Sequence, residues 1–268
     1  MKEIIIQDLT KEYRISQKEE GLWGSIKHLL KPVYEKKEVV HGISFSIDEG
    51  ECVAFLGANG AGKSTTIKML TGILKPTSGQ VQVLGKNPFD ERMKNAKQIG
   101  VVFGQKTQLW WDIPVVETFQ LLKNIYEVPD VTYQENMKIF GEILGLDEFL
   151  HLPARKLSLG QRVRADLAAA LLHNPPVLFL DEPTIGLDVA VKQKIYEFLK
   201  YINQERKTTI LLTSHDLKDL EVLCQRLIIL EQGNILFDDK MERIFEQYPE
   251  GTTLEEIVIQ LFNRRSNV

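Results

Sequence analysis

A short apolar run, Cys52–Leu56, leads into Gly57-Ala58-Asn59-Gly60-Ala61-Gly62-Lys63-Ser64-Thr65, and a helical pattern over Ser64–Thr71 follows. The spacing G-x-x-x-x-G-K-[ST] between a strand and a helix marks a phosphate-binding loop. No other stretch restricts the fold as much, because the loop requires a strand–turn–helix unit around it. Its glycines let successive backbone N–H groups turn inward on phosphates without Cβ clashes. In this loop Gly57, Asn59, Gly60, Ala61, Gly62 and Thr65 are expected to line the nucleotide phosphates. Lys63 is expected to neutralise the β- and γ-phosphates, and the Ser64 hydroxyl to ligate Mg²⁺.

Strand patterns fall at Ile4–Ile6, Val39–Ile47, Cys52–Leu56, Val81–Leu84 and Ile99–Phe103. They return at Val177–Leu180, Thr209–Leu212, Leu227–Leu230 and Ile235–Phe237. Between them, Pro114–Leu172 reads as mostly helical, and further helical patterns fall at Ala190–Gln204 and Asp216–Cys224. This order predicts an α/β nucleotide-binding core with a helical subdomain inserted between its halves. We place the core at residues 1–240, the insertion at about 106–173, and a short helical extension at 241–268. In the extension, Leu254, Ile257, Val258 and Leu261 share one helical face that is expected to pack on the core.

Further chemistry clusters at the ends of the apolar runs. Val177–Leu180 is continuous and apolar, as in a parallel strand buried on both faces, and it ends in Asp181-Glu182. Side chains alternate along a strand, so neighbouring acids can serve different tasks. Asp181 is assigned to the Mg²⁺ shell, and Glu182 to the attacking water as general base or water positioner. His215 follows Thr209–Leu212, a strand expected beside the Asp181 strand, at the end where open α/β sheets bind ligands. It is expected to contact the γ-phosphate; the alternative is a packed or capping histidine. Gln105 follows Ile99–Phe103 and could meet Mg²⁺ or the nucleophilic water, or be an ordinary loop residue. In Leu157-Ser158-Leu159-Gly160-Gln161, Ser158 and Gln161 have the spacing of a helix capping box, ahead of an Ala-rich helix. The helix start favours an anion.

Composition narrows the setting. Of 268 residues, 43% are hydrophobic and 26% charged, as in ordinary globular proteins, and the net charge of −4 gives no pull toward nucleic acid. Cys52 and Cys224, the two cysteines, lie in apolar stretches without metal-ligand spacing and read as buried thiols in a reducing compartment. The N-terminus lacks the pattern of a signal peptide, and no apolar stretch has the roughly 18 residues of a spanning helix. Membrane crossing is therefore expected to fall to other chains.

Taken in order, the phosphate loop, Gln105, Leu157–Gln161, Leu178–Glu182, Leu187-Asp188 and His215 resemble the ATP-binding subunit of ABC transporters. The resemblance spans about Ile4 to Phe237. It implies a P-loop NTPase core with an antiparallel β edge, ATP and Mg²⁺ as cofactors, and two cassettes sandwiching two ATP head to tail. Ser158, Leu159, Gly160 and Gln161 of one cassette would then meet the γ-phosphate held by the other. Asp188 resembles the family's interface aspartate, and Tyr13 the aromatic that stacks on adenine; a core role for Tyr13 remains open. Polytopic membrane permease subunits are the implied partners, with the cassette peripheral on the cytoplasmic face. The stretches Gly60–Gly72, Ala168–Pro183 and Leu254–Ile257 are similar to the ABC-2 type exporter group.

The chain departs from the family pattern twice. Leu159 stands where Gly is usual; at a helix's first turn φ is negative, so function is expected to survive. The stretch Ile15–Glu38 is longer than the usual turn, and Leu22, Trp23, Ile26, Leu29 and Leu30 recur in it at helical spacing. Two readings stand open: a helix packed on the cassette edge, or an amphipathic element at permease or membrane. Trp110 and Trp111 are likewise either core residues or anchors for a membrane subunit.

Overall fold

The computed structural model describes residues 1–16, 34–104, 106–214 and 216–266. Gln105, His215 and the Leu22–Leu30 pattern lie outside the described residues.

The central sheet has the order β5-β6-β7-β3-β8-β9, that is Ile99–Phe103, Val177–Asp181, Thr209–Thr213, Cys52–Gly57, Arg226–Glu231 and Asn234–Lys240. Its first five strands run parallel, and β9 closes the edge antiparallel to β8. β3 and β7 are buried along their whole length and β6 up to Asp181, which is why these segments read as continuous apolar runs. As expected from the sequence, β6 and β7 are neighbours, with Asp181 opposite Thr213. The phosphate loop joins β3 to helix α1 (Lys63–Leu70).

A second, antiparallel sheet has the order β2-β1-β4, from Tyr34–Asp48, Lys2–Ser16 and Ser78–Val83. Here the strands outrun the sequence reading, which began them at Ile4 and Val39. β1 and β2 pair out to Ser16 opposite Tyr34. The far half was invisible because it has no apolar face: Lys36 pairs with Glu12 across the strands, and residues 34–38 are all exposed.

After the short helix α2 (Arg92–Ala96) and β5 come α3 (Val115–Ile125), α4 (Asp130–Leu144) and α5 (Leu159–Leu171), with two 3-10 turns, before β6. Val115, Phe119, Phe140, Leu144 and Phe149 bury the seam between them. Phe140 meets Phe198 of α6 (Val189–Arg206) edge to face, 5.5 Å between centroids, and so ties this block to the sheet layer. α5 is buried from Val163 to Leu171, and its alanines allow close approach to β5. α7 (Leu217–Leu223) follows β7, α8 (Met241–Glu246) follows β9, and α9 (Leu254–Ser266) packs on α7 through buried Leu254, Ile257 and Val258. The amphipathic reading of that last helix therefore holds.

Cys52 and Cys224 are buried free thiols, as expected, yet their sulfurs stand 3.4 Å apart, which spacing in the sequence did not suggest. Among the described residues no helix is long and apolar enough to cross a membrane.

Candidate nucleotide site

The loop after β3 has the backbone its glycines allow. Gly60 and Gly62 have φ of 81° and 107°, values that L side chains seldom adopt. Gly57 is required by space: a Cβ there would stand 2.3 Å from the Leu230 carbonyl oxygen. Gly62 opens α1 without a side-chain cap, and the first turn holds no acid. The α1 amides are thus left to an external anion. Lys63 is 6% exposed and donates to the carbonyls of Gly57 at 2.6 Å and Ala58 at 3.2 Å. Burial pulls its ammonium below the ordinary lysine value, against the Glu182 and Asp181 carboxylates, which hold it up.

Both acids arrive at the loop from the end of β6. Ser64, Asp181 and Glu182 line one cleft of about 430 Å³ together with Phe103, Gly104 and Lys106. Thr213 orients the pair: its hydroxyl donates to Asp181 Oδ1 at 2.8 Å, and the Glu182 N–H donates to that hydroxyl at 3.0 Å and to the Thr213 carbonyl at 3.1 Å. Glu182 has φ of 56°, a strained value for a residue with a side chain. Gly104 completes the approach. Its N–H donates to the Asp181 carbonyl at 2.8 Å, and a Cβ there would stand 2.2 Å from the Glu182 carbonyl oxygen. Thr213 and Gly104 were not singled out from the sequence. Their signal was position alone, each at the end of a strand flanking β6.

The donor set suits a hard cation. Ser64 offers a hydroxyl and Asp181 a carboxylate in the same cleft, the oxygen ligands Mg²⁺ takes alongside substrate phosphates. Among the described residues no three His, Cys, Asp or Glu side chains cluster as a metal cage, and a cation shared with phosphates needs none.

Residues 158–161 stand elsewhere. None of them lines the cleft at Ser64. The capping box is complete: Ser158 Oγ accepts from the Gln161 N–H at 3.2 Å, and Gln161 Oε1 accepts from the Ser158 N–H at 2.9 Å. The Ser158 hydroxyl keeps its proton to donate, whereas the Gln161 carboxamide is turned back on the helix. Leu159 is the first helical residue, has negative φ and is 42% exposed, so the loop carries no strain there. The Leu159 side chain packs near Gly186, and Gly160 lies against Val191. Asp188 caps α6, accepting from the Val191 N–H at 2.9 Å. Leu159, Ile185, Asp188 and Val189 therefore share one exposed surface.

Tyr13 lies in the far half of β1, exposed, with the Lys11 ammonium 5.3 Å from its ring centre. It is not a core tyrosine. Trp110 and Trp111 are about half exposed, which removes the core alternative for them too; the Arg162 guanidinium lies 5.4 Å from the Trp111 ring. The residues just after Gln105 are held by α5. Asp166 Oδ1 accepts from Thr107 Oγ1 and from the Gln108 N–H, both at 2.9 Å, and Gln108 Nε2 donates to the Asp166 carbonyl at 2.8 Å. Burial raises the Asp166 carboxyl to about 6, against these bonds and the Arg162 charge.

A parallel sheet with a glycine loop at one strand end and two acids at a neighbouring one defines a P-loop nucleotide-binding protein. The protein family described as "ABC transporter" matches residues 40–185. The chain belongs to that family, as one of its ATP-binding cassettes. It is 37% identical over 200 residues to the uncharacterized ABC transporter ATP-binding protein YhcH of Bacillus subtilis, an alignment covering 75% of this chain and 64% of that relative. It is 36% identical over 211 residues to the Nod factor export ATP-binding protein I of Ralstonia nicotianae, covering 79% of this chain and 65% of the relative. Among solved structures, a dimeric ATP-binding cassette in a post-hydrolysis state with ADP and Pi superposes with a TM-score of 0.71 at 26% identity, over 89% of this chain and 98% of the other.

Proposed function

We propose that this chain is the ATP-hydrolysing subunit of an exporter-type transporter. Two cassettes would close on two ATP molecules, and hydrolysis would reopen them. The stroke would pass to separate membrane-spanning permease subunits, placing the cassette on the cytoplasmic face of the membrane. The observation that carries this reading is the division of the site. Ser64, Asp181 and Glu182 share one cleft, with Lys63 buried beside it within reach of both carboxylates' charge, while Ser158 lies outside it on an exposed surface with Leu159 and Asp188. A Ser158 hydroxyl free to donate, on a surface rimmed by exposed Ile185 and Val189, suits contact with a nucleotide held by a second subunit. The relative named for export and the dimeric ADP-bound cassette support the same assignment.

In this reading the α1 amides and Lys63 hold the β- and γ-phosphates, and Asp181, with Ser64, holds Mg²⁺. The cation would neutralise charge developing on the transferred phosphoryl oxygens. Glu182, fixed through its N–H by Thr213, receives the proton of the attacking water or orients that water. Gln105 and His215 keep their proposed contacts, with the water or Mg²⁺ and with the γ-phosphate respectively, from sequence position. Tyr13 offers its exposed ring to adenine. Trp110 and Trp111 are apt anchors for a permease segment.

Glu182→Gln tests the assignment. The variant should bind ATP and lose at least about a hundredfold in turnover, accumulating an ATP-dependent dimer on size-exclusion chromatography. Hydrolysis at the wild-type rate would refute the role of Glu182.

A further inference from the structure

Between Glu182 and Asp188 the chain has no regular structure, with positive φ at Glu182 and Gly186. One side of this loop faces open space: Ile185 is exposed, and a cleft of about 520 Å³ runs from Glu182 past Thr184, Lys192 and Ser214 to Leu254. Pro183 and Thr184 are buried, but the outer side of the loop has no packing against it. A buried carboxylate reaches it from below.

Asp219, in the first turn of α7, has a side chain only 2% exposed. Its Oδ2 accepts from the Thr184 hydroxyl and, at 3.3 Å, from Ser214 Oγ. Its Oδ1 accepts from the Tyr196 hydroxyl and, at 3.1 Å, from Lys192 Nζ. Thr184 stands two residues beyond Glu182. Ser214 stands between Thr213, which orients both acids, and His215. Lys192 and Tyr196 belong to α6, the helix capped by Asp188. Lys192 also reaches Asp216, the N-cap of α7, at 2.6 Å. Burial alone would lower the Lys192 ammonium, but its bonds to Asp216 and Asp219 outweigh this and hold it above the ordinary value. The cluster is thus a buried carboxylate meeting one lysine and three hydroxyls, with Asp216 on the far side of the lysine.

A buried ion pair is weak evidence for stability, since apolar packing of the same volume often does as well. What such a cluster does supply is direction, because each donor is held at one place. We propose that Asp219 is a positioning residue for ATP hydrolysis, fixing the Glu182–Asp188 loop through Thr184 and the Thr213–Ser214 strand end through Ser214. It touches no substrate and acts through the residues it holds. The inference rests on the catalytic role given to Glu182.

The test uses the full chain with Asp219→Asn, Thr184→Val and their combination, beside Glu182→Gln. Asn keeps the volume but presents an amide N–H to donors. Each single variant should lower kcat about tenfold and leave KM for ATP within about twofold, and the double variant should be no worse than the worse single one. Asp219→Glu, which restores the charge, should recover part of the rate. A purely structural role would instead lower the melting temperature in step with activity and leave the Asn and Glu variants alike. Wild-type kcat in Asp219→Asn, with Glu182→Gln inactive, overturns the positioning role alone. An active Glu182→Gln overturns the reading beneath it. Should Asp219→Asn fail to fold, Thr184→Val, which loses one hydroxyl, decides: wild-type kcat there overturns the proposal.

Discussion

Asp166 is an acid whose burial should work against folding at neutral pH, and the size of the effect follows from its surroundings. Its carboxyl titrates at about 6 rather than 3.8, because burial outweighs the bonds from Thr107 and Gln108 and the charge of Arg162. A shift of about two units, at 1.36 kcal/mol each, amounts to about 3 kcal/mol between charged and neutral forms. Between about pH 4 and about pH 6 the folded protein binds more protons than the unfolded chain, so stability falls as pH rises through that window. Above it the penalty is constant. Asp166→Asn mimics the neutral form and retains an oxygen to accept from Thr107 and Gln108, both of which donate to Oδ1. The variant should therefore match the wild type near pH 4 and exceed it at pH 8 by up to about 3 kcal/mol. For a chain of this size that is on the order of 5 °C in melting temperature. Thermal melts of both proteins at intervals from pH 4.5 to pH 8 measure the gap. A gap independent of pH, or a wild type that is the more stable at pH 8, would refute the reasoning.

Gly104→Ala should push the end of β5 off the Asp181–Glu182 peptide, since its Cβ would lie 2.2 Å from the Glu182 oxygen. Destabilisation of about 1–3 kcal/mol and a tenfold or larger fall in kcat are expected, read by thermal melts and steady-state ATPase assays; wild-type values for both would rule the close approach out as a constraint. Leu159→Gly should change little. It removes an exposed side chain from an unstrained helix start, costs at most about 1 kcal/mol, and should leave turnover within about threefold. A tenfold gain in ATPase rate would mean that the leucine had been distorting the loop.

Some of this was legible from one chain because the cause is local. The positive φ of Gly60 and Gly62 is written in a glycine pattern, and the burial of β6 in its apolar run. The Ser158–Gln161 box spans four residues and was readable for the same reason. Thr213, Asp219 and Asp166 were not, because each has a partner 31 to 59 residues away that it meets only when β7 lies beside β6 and α5 packs beneath the chain after Gln105. Polar residues carry no periodic signal that announces such partners. The strands Lys2–Ser16 and Tyr34–Asp48 failed to show their length for the opposite reason: their outer halves carry charges facing one another across the pair with no core beneath, and so lack the alternation that betrays a strand.

That ribbon has a mechanical consequence. Among the described residues β4 pairs with β1 only as far as Thr10, opposite Ser78, so the portion bearing Tyr13 is a two-stranded extension of the sheet. Two strands alone are marginally stable in water. With the roles proposed above, the phosphate end of the site would rest on five parallel strands and the base end on this two-stranded arm. A nucleotide gripped this way would be recognised mainly by how many phosphates it has, and the base would serve more as a tether than as a key.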